Sequence, residues 1–177
     1  GRKNPLPMDI ETYAYGIFGV NVMAIPGVND GLVLTAIGEL GYDFTSKFDT
    51  ARRFCKWNNL VPNNKITGGK VISSKMQKRK NIMGQAFRMA ANAVSKQQNE
   101  MGLYFRRIQA REGYAQAIVA TAHKIANIFY TMVKNKVEYN PTLVGCDEKT
   151  ILERKLRRTQ KQLEKLNKRK KDLEKAG

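Results

Sequence analysis

A long segment without carboxylates is the feature that most limits how this 177-residue chain can fold. From residue 50 to residue 99 the chain contains no Asp or Glu. The cations of this segment are Arg52, Arg53, Lys56, Lys65, Lys70, Lys75, Lys78, Arg79, Lys80, Arg88 and Lys96. Like charges at this density repel one another in a compact fold unless an anion faces them. The segment therefore predicts contact with a polyphosphate backbone, and a solvated basic face that serves only solubility is the alternative.

The composition of the whole chain agrees with a basic globular protein. The chain has 32 Lys and Arg against 15 Asp and Glu, a formal net charge of +17, and its hydrophobic share of 42% is enough to build a core. The longest mostly apolar stretch, residues 115–122, is far shorter than the roughly 20 residues of a membrane span, so we expect no membrane partner. The chain begins without Met or an apolar signal region, and we expect a cytoplasmic protein that is a piece of a longer chain.

Cysteine and histidine are too few for a zinc site. Cys55 and Cys146 lie far apart in sequence, and His123 is the only histidine. A Cys/His zinc site and a disulfide framework are both excluded by this count, and we predict no metal and no cofactor in this chain. His123 lies beside an apolar helical stripe, where a structural or surface imidazole is more common than a catalytic base.

Helical spacing dominates the chain and predicts an all-α fold. Residues 10–23 and 32–40 have helical patterns on either side of the turn at residues 25–31. Glycine-containing turns that precede a helix expose backbone N–H groups, so Gly27 and Gly31 are candidates for a phosphate-binding hairpin of the helix-hairpin-helix type. A plain αα-hairpin is the alternative.

Further helices are predicted up to the C-terminus. They cover residues 50–57, 82–95, 103–111 and 114–134, and then 147–176. We predict a domain over residues 1–140, a linker over 141–146 and a basic coiled-coil-like helix over 147–177. The leucines of the last helix follow a heptad pattern, which fits a weak coiled coil that makes a homo-oligomer, an antiparallel pair with another helix, or a basic arm on nucleic acid.

An irregular basic loop interrupts the helices. Residues 60–74 contain Pro, Asn-Asn and Gly-Gly with short β-branched pieces, which predicts a loop or ragged hairpin. Within it Thr67 precedes Gly68 and Gly69 and lies between Lys65 and Lys70. Glycines let backbone amides approach an anion. A threonine hydroxyl is a weak nucleophile without help from a base or metal, so the pattern alone makes Thr67 an ordinary turn residue.

A family resemblance gives this loop a second interpretation. The chain resembles the C-terminal domain of insertion-sequence transposases of the IS116/IS110/IS902 type, a group that is similar to the Piv/MooV invertases. The resemblance runs from about residue 4 to residue 139. It is carried in order by IPGV (25–28), ELG (39–41), FCKW (54–57), LVPN (60–63), KITGGK (65–70), YFRR (104–107), AR (110–111) and AHKIA (122–126).

The resemblance implies a DNA recombinase with two parts. One is an N-terminal RuvC-like domain whose acidic residues hold Mg²⁺, which this chain lacks, and the other is a C-terminal domain with a serine nucleophile. That serine falls at Thr67, whose extra methyl group stiffens χ1 and crowds an in-line attack. DNA is the implied partner, a guide RNA is a further one, and the implied location is the bacterial nucleoid. Because the acidic residues of this chain do not reproduce the magnesium site, we expect no recombination by this chain alone.

These inferences assign a role to each residue of the basic loop. Thr67 takes the nucleophile position, Gly68 and Gly69 present backbone to a phosphate, and Lys65 and Lys70 stabilise transition-state charge. The candidates that position the DNA backbone are Lys75, Lys78, Arg79, Lys80, Asn81 and Arg88. Two alternatives remain: a non-catalytic nucleic-acid-binding module with a helical oligomerisation tail, and an assembly module whose basic charge is incidental.

Overall fold

The computed structural model describes residues 8–76, 80–145 and 148–174 and confirms a mostly helical fold. The helices within these ranges are α1 Ile10–Phe18, α2 Asp30–Leu40, α3 Phe44–Lys47, α4 Ala51–Trp57, α5 Ile82–Val94, α6 Glu100–Glu112, α7 Tyr114–Asn135 and α8 Glu148–Glu174. Two short strands, β1 Lys65–Thr67 and β2 Lys70–Ser73, and two 3₁₀ turns, Val22–Ala24 and Pro141–Val144, complete the described elements.

Helix α7 is the centre of the core. It is 22 residues long and packs against α4, α5 and α6. Its apolar positions recur with helical spacing, so one broad face is buried along most of its length. Aromatic rings pack edge-on or stacked where this face meets α1, α3, α4 and α5. The rings are Phe18, Phe44, Phe54, Phe87, Phe129 and Tyr130.

The N-terminal helices differ from the prediction at their ends. Helix α1 stops at Phe18 rather than near residue 23, because Gly19 adopts a left-handed φ of 68° and its N–H bonds the Tyr15 carbonyl. Helix α2 begins at Asp30, two residues before the predicted start, because the Asn29 side chain accepts a hydrogen bond from the Leu32 amide at 3.0 Å. A Gly-containing turn between two helices is present as predicted.

The irregular segment is a β-hairpin that projects from the helical core. β1 and β2 are antiparallel, and Thr67 pairs with Lys70 across the Gly68–Gly69 turn. Both glycines have positive φ, 56° and 76°, as a two-residue type I′ turn requires. A bulge shifts the register, since Ile66 pairs with Val71 but Lys65 pairs with Ser73. Every residue from 62 to 72 is exposed.

The segment after α7 folds back on the core before α8 begins. Within the predicted linker, Pro141–Val144 forms a 3₁₀ turn, and Val144 is buried in the main hydrophobic core. The four leucines of α8 that the structure places, Leu152, Leu156, Leu163 and Leu166, are 55–65% exposed. The predicted division into a domain, a linker and a tail stays a prediction.

The described helices do not meet the requirements of a membrane span. None of them combines the length and the apolar character that crossing a bilayer demands.

Candidate nucleic-acid interface

The hairpin places Thr67 in solvent with lysines on its own side. Thr67 is the last residue of β1, and its cross-strand partner is Lys70. Directly opposed residues of a hairpin share a face, and so do residues two apart on one strand. Lys65, Thr67 and Lys70 therefore lie on the same face, and the structure brings together the residues that the sequence grouped around the nucleophile position.

The glycines of the turn are needed for backbone conformation. A Cβ atom built on Gly68 or Gly69 would meet nothing within 4 Å. Their left-handed φ values, rather than lack of space, are what disfavour other residues there. Both glycines are exposed, so their backbone is accessible to an anion from solution.

A backbone hydrogen bond closes the base of the hairpin. The Asn63 amide donates to the Lys75 carbonyl at 3.1 Å, which brings the two ends of the hairpin together. The side chains of Lys75 and Lys80 are exposed. The predicted DNA-positioning residues Lys78 and Arg79 lie outside the described residues.

The side chains of Asn81 and Arg88 hydrogen-bond the start and middle of α5 to the end of α4. The Asn81 side chain accepts from the Gly84 amide at 2.6 Å and donates to the Trp57 carbonyl at 3.0 Å. The Arg88 guanidinium donates to the Asn59 carbonyl at 2.6 Å. Because α4 ends at Trp57, these bonds satisfy carbonyls at or just beyond its C-terminus. Both residues thus have a structural role in the fold, and their contact with DNA stays a prediction.

The turn before α2 also has a packing explanation. Gly27 has a φ of 89°, and a Cβ there would lie 2.6 Å from the Ala90 carbonyl oxygen of α5. Gly31 is exposed in the first turn of α2, beside the acidic Asp30. Asn29 already accepts from one amide of this helix N-terminus. Phosphate binding by Gly27 and Gly31 stays a prediction.

A basic cleft that the sequence did not single out runs between α4 and the hairpin. It has a volume of about 590 Å³. Its lining combines cations of α4 with polar and apolar residues of the segment that leads into β1: Thr50, Arg52, Arg53, Lys56, Val61, Pro62, Asn63, Asn64 and Ile66. The i, i+4 spacing of Arg52 and Lys56 was the available signal, because it places both on one side of α4.

A larger apolar groove lies between the base of the hairpin and helices α6 and α7. Its volume is about 770 Å³, and its walls include Leu60, Met76, Val119 and His123. Burial lowers the pKa of His123, and the positive charge of Lys124 lowers it further. The imidazole is therefore neutral near pH 7.

The pKa of the buried Cys55 thiol is shifted in the opposite direction to that of His123. Burial raises its pKa to about 12, because a thiolate would lose its hydration there. Cys55 is a free thiol, and Cys146 lies outside the described residues. A thiol that stays protonated is unreactive, so Cys55 is not a candidate nucleophile.

Comparison with protein families gives a match to part of the chain. Residues 20–106 match the family described as Transposase IS116/IS110/IS902 family. The match indicates a transposase domain of this family over those residues. The match includes the α2 turn, α4, the hairpin and α5, and it ends within α6, so it is shorter than the resemblance over residues 4–139. No curated protein gives a significant match to the chain.

The transposase domain implies DNA as a partner. Within residues 8–76, 80–145 and 148–174, no three His, Cys, Asp or Glu side chains come together in a way that could hold a metal ion. These residues therefore do not fit the magnesium site that the resemblance implies for the N-terminal part of such enzymes.

Proposed function

We propose that this chain is the DNA-engaging, nucleophile-bearing part of a transposase that forms a covalent link to DNA through Thr67. The observation that carries the proposal is the position of Thr67, exposed beside a Gly-Gly turn with Lys70 directly across the hairpin. A reacting hydroxyl must reach a phosphorus atom in line with the bond that breaks, and an exposed hairpin end offers such access.

The proposed reaction exchanges one phosphate ester for another. The Oγ1 atom of Thr67 bonds to a backbone phosphorus, and the bond from that phosphorus to a bridging deoxyribose oxygen breaks. The hydroxyl loses a proton and the leaving oxygen gains one. Lys65 and Lys70 stabilise the negative charge that spreads over the phosphate oxygens during transfer.

Two further parts of the proposal concern what this chain does not provide. The magnesium chemistry belongs to an acidic N-terminal domain of the parent enzyme, so strand exchange requires that domain. A guide RNA is a further partner of the parent enzyme. We place the enzyme in the cytoplasm of a bacterium, associated with the nucleoid.

Trapping of a protein–DNA adduct tests the role of Thr67. The enzyme with its acidic domain is incubated with a nicked DNA substrate. The nick lets the leaving strand dissociate, so that the covalent product accumulates, and the adduct is measured on a denaturing gel. We expect an adduct with the unchanged chain, at least as much with Thr67→Ser, because the smaller hydroxyl is less hindered, and none with Thr67→Ala. Equal adduct from Thr67→Ala and the unchanged chain would contradict the nucleophile role.

A second candidate function is a non-catalytic nucleic-acid-binding module with a helical oligomerisation tail. Two observations favour it. The segment around Thr67, residues 50–99, contains no Asp, Glu or His, and the α8 leucines that the structure places are exposed. The same adduct assay separates the two candidates, because a binding module retains DNA but forms no covalent product.

A further inference from the structure

We infer that the cleft between α4 and β1 is a second phosphodiester-binding site, which holds a stretch of DNA backbone beside the hairpin. The inference rests on the proposed function, because it takes DNA as the partner. It adds a binding site and positioning residues that the hairpin chemistry does not include. Its residues are Arg52, Lys56, Asn63 and Asn64.

The charge of the cleft is largely uncompensated. Arg53 pairs with Asp49, and both side chains are exposed. Among the described residues no carboxylate pairs with Arg52 or Lys56, which are both exposed. Cations in a concave site with low-dielectric walls concentrate positive potential and attract an anionic strand.

The shape and lining of the cleft suit a sugar-phosphate strand. Asn63 and Asn64 bring amide groups that can donate to phosphate oxygens or sugar oxygens. Val61, Pro62 and Ile66 line the same cleft and offer apolar contact to deoxyribose. Contacts of this kind go to phosphate and sugar, which carry no sequence information directly, so we expect binding without sequence preference.

The helical wall of the cleft is preorganised. The carbonyls at the end of α4 are held by Asn81 and Arg88 of α5. At Gly84 the two elements are so close that a Cβ atom would lie 2.0 Å from the Asn58 carbonyl oxygen. Arg52 and Lys56 therefore stand on a helix whose position is set before DNA arrives, which lowers the ordering cost of binding.

The cleft and Thr67 lie on opposite faces of the hairpin. Ile66 lines the cleft, and adjacent residues of a strand point to opposite faces, so the Thr67 side chain points away from the cleft. Arg52 and Lys56 are positioning residues that act through DNA placement. Their loss changes DNA affinity and leaves the chemical step at Thr67 intact once DNA is bound.

A matched pair of double variants tests the cleft. Arg52→Gln/Lys56→Gln removes two charges from the cleft, and Arg107→Gln/Lys161→Gln removes two charges from exposed positions outside both the cleft and the carboxylate-free segment. Affinity for a fluorescein-labelled duplex DNA is measured by anisotropy over a range of salt concentrations. We expect the slope of log K against log salt to become about 1.8 shallower in the cleft variant, from two lost phosphate contacts, and to stay unchanged in the control.

The outcomes separate this inference from the function on which it rests. Equal changes of the salt slope in both double variants would overturn the proposed role of the cleft and indicate a general charge effect. Binding by the cleft variant that equals that of the unchanged chain, with the adduct still formed at Thr67, would overturn the cleft and leave the proposed function standing. Failure of the unchanged chain to bind DNA would overturn both. Arg52→Lys/Lys56→Arg keeps the charge and is expected to bind like the unchanged chain.

Discussion

At the scale of single residues, Gly27 shows how a glycine in a phosphate-binding pattern can be required by packing. Its φ of 89° is costly for other residues, and the space where a Cβ would lie is occupied by α5. The Ala90 carbonyl oxygen and the Val94 Cγ1 atom would each lie 2.6 Å away. The turn thus fixes how closely the α2 region approaches α5, whatever it binds.

We predict that Gly27→Ala destabilises the fold by about 1–3 kcal/mol, through backbone strain and the clash with α5. Gly38→Ala is the matched control, because it lies in α2 and a Cβ there meets nothing within 4 Å. The control should gain roughly 0.5–1 kcal/mol from better helix propensity. Urea unfolding measures both values. Weaker DNA binding by Gly27→Ala at unchanged stability would instead support the phosphate-binding role.

The lowered pKa of His123 predicts a pH dependence of stability. Protonation is easier in the unfolded chain, where the pKa is near its ordinary value of 6.5, than in the apolar groove. The contribution of neutral His123 to the free energy of unfolding is complete above about pH 6.5 and is lost as the pH falls through the lower folded-state pKa. Because His123 is the only histidine, urea unfolding of the unchanged chain and His123→Gln from about pH 7.5 to about pH 5.5 isolates it. A decline of the same size in both proteins would contradict this prediction.

At the scale of elements, α8 is the helix whose role depends most on a partner. Leu152, Leu156, Leu163 and Leu166 occupy a and d positions of a heptad pattern, and all four are exposed. Isolated helices are marginal in water, and a heptad seam is stabilised when a second helix buries it. A second copy of α8 meets this requirement.

We predict that the chain is a homo-oligomer that dissociates when this seam is broken. Leu156→Glu/Leu163→Glu places charges in the seam and should give a monomer with a folded core. Lys161→Glu/Lys165→Glu carries the same new residues at positions outside the seam and should keep the oligomer. Light scattering coupled to size exclusion gives the mass of each protein. An unchanged mass for the leucine variant would contradict the prediction that residues 147–177 mediate oligomerisation.

Hydrophobic periodicity and turn-forming residues were enough to predict most elements. The long helices α5 and α7 were predicted from apolar spacing, and the segment of β1 and β2 was predicted as a loop or ragged hairpin from its Gly-Gly turn and β-branched residues. The single turn α3 was missed, since four residues carry no period and its buried Phe44 is held by tertiary contacts. Helix α6 begins at Glu100, before the predicted start, because the Asn99 side chain caps it by accepting a hydrogen bond from the Gly102 amide.

The residues around Thr67 were predictable because they are neighbours in sequence, whereas the cleft was not. Arg52 and Lys56 line one cleft with Asn63 and Ile66 because the fold sets α4 near the segment that leads into β1, and no local pattern encodes that arrangement. The structural uses of Asn81 and Arg88 were equally hidden, because their partners are carbonyls at the end of α4.

At the scale of the whole molecule, the helical core and the hairpin differ in what they bury and what they expose. The core buries its aromatic rings around α7 and holds α4 in place, while the basic residues of the hairpin face solvent. The net charge of +17 is thereby tolerated, since the carboxylate-free segment places most of its cations at the surface.

Because residues 62–72 are exposed, the requirements of folding and of the proposed reaction are separate at the hairpin. A side chain that buries no surface can be exchanged at almost no cost in folding free energy. Serine or threonine at position 67 would therefore leave the molecule equally stable. Under the proposed function, the choice between the two alcohols therefore affects reactivity toward DNA rather than folding.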